Sequence, residues 1–418
     1  MTAAGFAAAP TTPSAFAVAA GTTPVVSQVT IEGKVLPVFE FSCTSGAYGS
    51  VGHCQITTSR IALNASGINL VDDTVKASGP LPIVIQVGTS ASQQVQIFVG
   101  EYDDAKWDYL KDTVTIHGRD LAGGLVDQKF VLSKGYANKT PDQLVIEIAT
   151  QYGFTPMVTP VPAGPGGQLQ TIGSLMGVSG SYMSYPRPVW DVLQSLAREV
   201  GYLLYVTPQR QMIFAPPDED DTPLALSWNM ACAPGVIPLM DLKPSYAPRR
   251  NKTFSVIVLS HYGQSAQPTQ GTAVVAGEPI EIPGQTTIKA GIYIGAAGTR
   301  VRGLASSVLN GQPPYVHRSE GRTVQQCQSK AEAIARDIAK HVFKIDAVAD
   351  GLPSLRLLQP LQLQGQVDSF LGRKLYVNSI THSMRVPDGP EHGQAGFVTA
   401  FSALSIPPTS ISDPVELD

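Results

Sequence analysis

The sequence predicts an α+β protein in which β-strands predominate, and three features support that fold class. The chain of 418 residues contains 39 Gly and 33 Pro, a content that implies many turns and disfavours an all-helical fold. Short apolar or alternating runs recur between turn residues in the first third of the chain, as in a sandwich or barrel. Two later segments repeat apolar residues at helical spacing. The length predicts about two or three domains.

The composition is poor in charge. Charged residues make up 15% of the chain and the net charge is −4, whereas soluble proteins average about 25% charged residues. This balance disfavours DNA binding through a broad basic surface, and it indicates surface that is hidden against partners. The sequence has no apolar run long enough for a membrane span. Residues 1–24 lack the basic start and continuous apolar core of a signal peptide, so we predict a flexible or docking arm.

Residues 25–130 form the first predicted unit, which is rich in strands. The strands are predicted at Val29–Ile31, Val35–Phe41, Gln55–Ile61, Ile83–Val87, Gln94–Glu101 and Thr113–His117. Cys43 and Cys54 are predicted to lie across a hairpin whose loop is rich in Gly and Ser. Four cysteines are too few for a disulfide scaffold. A single bridge between Cys43 and Cys54 and a pair of free thiols both stay open.

Residues 131–240 are predicted to form an α+β unit with two helices and a hairpin. Thr140 has the features of an N-cap, Pro141 of the first helical residue, and Gln143 of the second half of a capping box. A second helix follows a Pro-rich segment, contains Trp190 and ends at Gly201. The hairpin is predicted from apolar runs at 202–206 and 211–214.

Residues 241–406 form the third predicted unit. It contains a clear strand at Thr253–Leu259, a Gly- and Thr-rich insertion at 262–312, and a long helix at 323–343. Further strands are predicted at Leu355–Leu358, Leu361–Leu363, Lys374–Ile380 and Gly396–Phe401. Residues 407–418 are predicted to be a C-terminal tail.

The sequence contains no pattern that specifies a reaction. None of the seven histidines stands in a metal-binding pair with a nearby carboxylate. Asp103, Asp104 and Asp108, around Trp107, have the residue types of a paired-carboxylate glycosidase, but we interpret them as a surface loop. The acidic run 218–221 lacks the alternating ligands of a calcium loop. We therefore predict no catalytic site, no metal site and no cofactor.

The most specific motifs lie at four places along the chain. They are Gly118–Leu121 with Leu125–Asp127, Asn138–Gly153, Val189–Tyr202 with Ile213–Phe214, and Leu375–His382 with Gly396–Thr399. In this order they resemble the baseplate hub family of phage tails, the late-control D or gene 27-like proteins. That family is similar to the N-terminal half of type VI secretion spike proteins. The arm 1–24 and the insertion 262–312 have no counterpart in the resemblance.

The resemblance implies a virion structural protein, assembled in the host bacterial cytoplasm, with two tube-type β-barrels at 25–130 and 241–406. It implies a homotrimer that joins a sixfold tail tube, or distal tail protein, to a threefold spike or tip. The ring would surround the channel for the tape measure protein and for DNA, which passes without sequence-specific binding. The motif residues are then structural rather than catalytic: Gly118, Arg119, Asp120, Thr140, Pro141, Gln143, Trp190 and Gly201.

Two other classes of function stay open from the sequence. The Gly- and Thr-rich insertion 262–312 and aromatic residues such as Trp107 suit a receptor- or carbohydrate-binding protein of a tail. A cell-wall hydrolase carried on a tail would need a catalytic constellation, for which the sequence offers no candidate.

Overall fold

The structure is a computed structural model. It describes residues 26–47, 49–71, 80–88, 90, 93–130, 136, 138–161, 187–216, 222–228, 236–247, 254–261, 268–275, 292–294, 315–318, 330–331, 334, 343–364, 374–385 and 396–405. The predicted arm 1–24, the acidic run 218–221 and the tail 407–418 lie outside these ranges.

The first part of the chain folds into a curved sheet around its own core. Its elements are β1 (Val26–Ile31), β2 (Lys34–Leu36), β3 (Glu40–Gly46), β4 (His53–Ser59), α1 (Arg60–Ala65), β5 (Pro82–Gly88), β6 (Gln94–Asp108) and β7 (Thr113–Asp120). The strands follow the order β2-β1-β5-β6-β7-β4-β3. Alternate residues point inward, so that Ile56, Ile83, Ile85 and Ile116 are fully buried. We call this unit the first barrel.

The middle of the chain packs helices against two small sheets. Its elements are α2 (Gly123–Asp127), β8 (Lys129–Phe130), α3 (Pro141–Gln151), β9 (Thr155–Val158), β10 (Arg187–Pro188), α4 (Val189–Val200), β11 (Leu203–Val206) and β12 (Gln211–Ala215). Strand β10 pairs with β8, and β12 pairs with β11 and β9. One apolar cluster joins these elements, with Trp190 and Leu193 of α4 and Leu144 of α3 among its buried members.

The last part of the chain contains a closed barrel and a separate sheet. The strands are β13 (Leu224–Trp228), β14 (Ile237–Tyr246), β15 (Phe254–His261), β16 (Pro268–Val275), β17 (Ile292–Ile294), β18 (Tyr315–Arg318), β19 (Phe343–Asp350), β20 (Pro360–Gln364), β21 (Lys374–Arg385) and β22 (Gly396–Leu404). Six of them, in the order β21-β20-β13-β14-β19-β22, close because β22 also pairs with β21. This unit is the second barrel. Strands β15 to β18 form a four-stranded sheet outside it.

The two barrels share one continuous sheet because β21 changes its partner along its length. Its first residues pair with β20, whereas Ser379–Arg385 pair antiparallel with Glu40–Gly46 of β3. Across this pairing the hydroxyl oxygens of Thr44 and Thr381 lie 3.0 Å apart. We call the pairing of β3 with β21 the barrel joint.

Both barrels repeat the same ladder of paired strands. The order β5-β6-β7-β4-β3 in the first barrel corresponds to β20-β21-β22-β19-β14 in the second. The long strands β6 and β21 carry a bulge at the corresponding place, between Tyr102 and Asp104 in one and between Val377 and Ser379 in the other. Strands β2 and β3 together take the position that β14 holds alone.

The correspondence extends to single residues. The neighbours of the two long strands, β5 and β20, both begin at a proline, Pro82 and Pro360. The residue before each proline accepts a hydrogen bond from the bulge of the long strand, at 2.9 Å in the first barrel and 3.1 Å in the second. Strand β4 pairs with β7 over His53–Ser59, as β19 pairs with β22 over Lys344–Asp350. Each residue from Val99 to Asp108 of β6 therefore has a counterpart, between Lys374 and Ser383 of β21.

The mostly β fold class is confirmed, but several element predictions are wrong. The strand predicted to run to Ile61 ends at Ser59, because the Ser59 side chain accepts the N–H of Ala62 and caps α1. Residues 103–108 belong to strand β6 rather than to a surface loop, because β7 pairs with them as far as Asp108. Pairing with a neighbour has overridden the low strand propensity of the aspartates.

The last part of the chain contains the other differences. Residues 355–358, predicted as a strand, are not in a strand, and the last two of them form a turn. Of the predicted helix 323–343, the described residues 330, 331 and 334 are helical, whereas Phe343 begins β19. Strands β13 and β14 both begin before residue 241, where the third unit was expected to start. The strand predicted at Thr253–Leu259 pairs with β16 of the insertion and with β18 instead of joining the second barrel.

Candidate functional site: the junction of barrels and helices

The described residues of the connection between β3 and β4, 47 and 49–52, lie where four elements meet, and we call them the junction loop. Ala47 donates its N–H to the carbonyl of Asn378 at the bulge of β21, at 2.8 Å. Gly49 donates its N–H to the carbonyl of Leu204 in β11, at 3.0 Å. The loop therefore connects the first barrel to the second barrel and to the hairpin of the middle unit.

Helix α4 holds the same loop through a buried indole. Trp190 is 1% exposed, and its Nε1–H donates to the carbonyl of Gly49 at 2.8 Å. The side-chain amide of Gln194, one turn further along α4, donates to the same carbonyl. Gly201 ends the helix in the left-handed conformation, with φ 73°. Helix α4 of the middle unit therefore binds the junction loop through two side-chain donors to one carbonyl.

Asp120, at the end of β7, fixes the other side of the loop. Its Oδ2 accepts the N–H of Gly52 at 2.6 Å and its Oδ1 accepts the N–H of Ala122 at 2.9 Å. The backbone N–H of Asp120 returns a bond to the carbonyl of Gly52 at 2.8 Å. Burial raises the pKa of Asp120 to about 7, against the N–H groups of Gly52, Ala122 and Gly123, which lower it.

Arg119 connects three elements on the outer surface. Its Nε lies 2.6 Å from Asp103 on β6, and its Nη2 lies 2.8 Å from Asp127 on α2. The hydrogen bonds to Asp103 and Asp127 raise the pKa of Arg119, and the Arg119 guanidinium lowers that of Asp127. Because these groups are partly exposed, each ion pair contributes about 1 kcal/mol or less. The arginine therefore orients α2 against the barrel more than it stabilises the fold.

A glycine is required at position 118 of β7 because β6 and β5 both approach it closely. A Cβ at Gly118 would lie 2.7 Å from the carbonyl oxygen of Glu101 and 2.8 Å from Cδ1 of Ile83. Any side chain at this position would push the strands apart.

Helix α3 begins with one of the two hydrogen bonds of a capping box. Thr140 is the N-cap, Pro141 is the first helical residue, and Oε1 of Gln143 accepts the N–H of Thr140 at 3.1 Å. The buried face of α3 packs into the same apolar cluster as α4.

Cys43 and Cys54 lie directly opposite each other in β3 and β4. Both are buried free thiols, the second of the two alternatives that the sequence left open. Burial raises the pKa of Cys54 to about 12 and that of Cys43 above its ordinary range. Thiols held protonated in this way are poor nucleophiles at neutral pH.

His382 lies opposite Cys43 in the barrel joint. Its Nδ1 lies 3.1 Å from the hydroxyl of Thr399, which in turn accepts the N–H of Leu352 at 3.1 Å. The ring stacks on Phe397, with centroids 5.6 Å apart. Burial lowers the pKa of His382 to about 4, so the imidazole is neutral at pH 7 and packs as part of the core.

Two kinds of site are absent from the described part of the chain. Within it, no group of three or more His, Cys, Asp or Glu could hold a metal ion. Within the same ranges, no helix has the length and apolar character needed to cross a membrane. Asp103 is paired with Arg119, and Asp108 accepts the N–H groups of Leu110 and Lys111.

The structure brings Trp190 and Asp120 onto one loop, a convergence that the sequence did not predict. Gly49, Gln194 and Asn378 complete the contacts, and they were missed because each lies far along the chain from its partner. The one sequence feature that could have pointed to these contacts is the Gly and Ser content of the loop, which leaves its backbone open to close approach.

Comparisons with known proteins identify the fold. No protein-family model matches the chain, and no curated protein matches it. The tail protein from Neisseria meningitidis MC58 aligns with 91% of this chain and 96% of its own, at a TM-score of 0.59 and 12% identity. The 43 kDa tail protein of prophage MuSo2 from Shewanella oneidensis aligns with 91% of this chain and 98% of its own, at a TM-score of 0.56 and 12% identity. The chain has the fold of these two tail proteins.

Proposed function

We propose that this chain is the structural hub of a phage or phage-like tail and not an enzyme. In the virion tail it forms a homotrimeric ring between a sixfold tail tube, or distal tail protein, and a threefold spike or tip protein. The ring surrounds the channel for the tape measure protein and DNA. The observation that carries the proposal is the fold, which matches two tail proteins over 91% of this chain and nearly all of theirs.

The repeated ladder of the two barrels supports the proposed symmetry. Two barrels with corresponding strands, joined side by side through β3 and β21, present two similar units per chain. Three such chains would present six barrels to a sixfold tube and would keep threefold symmetry for a spike. A closed ring of this kind is the usual outcome of a head-to-tail contact whose rotation closes.

The charge of the chain also supports the proposal. Charged residues are 15% of the sequence, as expected if large faces are buried against neighbouring subunits and the tube. A net charge of −4 avoids the strongly basic surface that would retain DNA phosphates in a channel. The motif residues at the junction loop then serve to hold barrels and helices in one rigid unit.

Mass measurement in solution and electron microscopy of native tails test the proposal. We expect a particle of three times the 44.2 kDa chain mass, ring-shaped in projection, and antibody labelling at the tip-proximal end of purified tails. Absence of the chain from purified tails would overturn the proposal, whatever its mass in solution.

A further inference from the structure

The outer half of β6 has an open edge. In the second barrel, the corresponding half of β21 runs past the end of β20, and β3 fills its edge from Ser379 to Arg385. In the first barrel, β6 runs past the end of β5 in the same way, and Asp104–Asp108 pair with β7 on one side. On the other side, no described strand pairs with them.

The second barrel has the matching open edge on β14. Its first residues pair with β13 as far as Leu239, and its remainder pairs with β19 on one side. From Asp241 to Ser245 no described strand lies on the outer side, and Lys243, Pro244 and Ser245 are exposed. This edge corresponds to the edge of β3 that forms the barrel joint.

We infer that Asp104–Asp108 of one chain pair antiparallel with the β14 edge of a second copy of this chain, repeating the barrel joint between subunits. The inference rests on the proposed ring and specifies its subunit interface. Each chain has one open edge on β6 and a different open edge on β14. The contact between two copies therefore joins unlike surfaces and is head-to-tail.

The ladder correspondence sets the register of this pairing. Thr381 and Thr44 of the barrel joint correspond to Lys106 and Ser245, which therefore lie opposite each other across the interface. The same register places Asp108 opposite Lys243, an attractive cross-strand pair of opposite charge.

It also places Trp107 opposite Pro244, at the positions that His382 and Cys43 occupy in the joint. Trp107 is 38% exposed, and pairing would cover its ring.

Charged residues and a proline at a sheet edge are also the usual means of preventing pairing. Pro244 has no N–H, so the pair with Trp107 keeps one ladder hydrogen bond instead of two. Contact between the ring of Trp107 and Pro244 would compensate for this loss only in the inferred register. An edge that prevents pairing should give no cross-link between subunits. An edge that pairs only in the inferred register should give cross-links at that register alone.

Cross-linking in the full chain decides between them. In the double variant Lys106→Cys with Ser245→Cys, the new thiols occupy the positions of two hydroxyls that lie 3.0 Å apart in the joint. We expect oxidation to give covalent dimers and trimers on denaturing gels, because paired strands bring Cα atoms within disulfide range. The single variants Lys106→Cys and Ser245→Cys measure how much cross-linking the native cysteines produce by themselves. Asp104→Cys with Ser245→Cys, two residues out of register, is the matched control and should cross-link no more than that background.

A charge exchange gives a second readout without new cysteines. Asp108→Arg should raise the concentration at which the oligomer half-dissociates by about fivefold, and adding Lys243→Glu should restore it. Circular dichroism melting confirms that each exposed substitution leaves the fold intact.

The outcomes separate this inference from the proposed function. A native trimer without in-register cross-links, or without rescue, overturns the interface and leaves the hub proposal standing. A chain that stays monomeric and never cross-links also overturns the interface. Cross-links within open filaments support the pairing and contradict the trimeric ring.

Discussion

The first and second barrels share their ladder of strands but differ in the connections between corresponding strands. Between β3 and β4 the first barrel has the short junction loop, which helix α4 holds through Trp190. Between the corresponding strands β14 and β19, the second barrel has residues 247–342, including the separate sheet of β15 to β18. The backbone pairing is therefore the constant feature, and the connections determine what each barrel contacts.

The largest expected effect comes from removing the indole that holds the junction loop. Trp190→Ala should lower the free energy of unfolding by about 3–5 kcal/mol, because it leaves a cavity in a closed apolar cluster and removes a donor to the Gly49 carbonyl. Hydrogen exchange should show loss of protection in β3 and β4 before β19 and β22.

Two variants control this result. Trp190→Phe keeps most of the ring volume and should cost about 1–2 kcal/mol through the lost hydrogen bond. Trp228→Ala, in β13, should reduce protection in the second barrel instead. Equal loss in both barrels for Trp190→Ala would show that the loop does not act on the first barrel specifically.

Most strands of the first barrel were predictable from the sequence, whereas strands β13 and β14 of the second barrel were not. Strand β7 alternates apolar and polar residues, as a half-buried strand should, and β5 is a short apolar run bounded by a proline. Strand β14 contains Pro238, Asp241, Lys243 and Pro244, residues with low strand propensity. It is a strand because β13 and β19 pair with it, and β19, which lies far along the chain from it, is invisible to local patterns.

The candidate site was predictable in its parts but not in its assembly. The capping residues of α3 and the glycine that ends α4 follow from local backbone chemistry. The convergence of Asp120, Trp190 and Asn378 on one loop depends on tertiary packing. The correspondence of the barrels was hidden as well, because paired positions such as Trp107 and His382 share a backbone register and not a side chain.

The barrel joint should be sensitive to acid through His382. Its pKa is about 4 in the folded chain and 6.5 in the ordinary state, so the folded state binds the proton less readily than the unfolded state. The stability that this difference contributes is complete above pH 6.5 and is lost as the pH falls from 6.5 towards 4, by up to about 3 kcal/mol.

Chemical unfolding at a series of pH values measures this loss. His382→Gln should remove the dependence between pH 6.5 and 4, whereas His53→Gln, at an exposed position of β4, should retain it. A wild-type slope that survives in His382→Gln would assign the dependence to another group.

The Asp120 carboxyl group should make stability depend on pH in the opposite direction to His382. Its folded pKa is about 7 against an ordinary value of 3.8, so the folded chain holds the proton more firmly than the unfolded chain. Its contribution is most favourable at pH values below 3.8 and declines as the pH rises from about 4 to 7.

Asp120→Asn should remove that decline, which denaturant titrations of the variant and the wild type can compare. Asp120→Ala should cost about 2 kcal/mol, because the N–H groups of Gly52 and Ala122 lose their acceptor. The corresponding residue of the second barrel, Ser405, keeps the backbone bond, to Phe343 at 3.0 Å. Ser405→Ala should therefore be nearly neutral, and a large cost there would contradict the distinct role of the carboxylate.

The smallest expected effect compares one ladder position in both barrels. Gly118 lies opposite Tyr102 in the first barrel, and Ala403 lies opposite the corresponding Val377 in the second. Gly118→Ala should cost about 1–2 kcal/mol, because its Cβ would lie 2.7 Å from the Glu101 carbonyl oxygen. Ala403→Gly should cost about 1 kcal/mol through added freedom of the unfolded chain and lost packing. Equilibrium unfolding of both variants checks the pair: a neutral Gly118→Ala would mean that β7 can move away from β6 and β5 at no cost, and the close approach would then not distinguish the first barrel from the second.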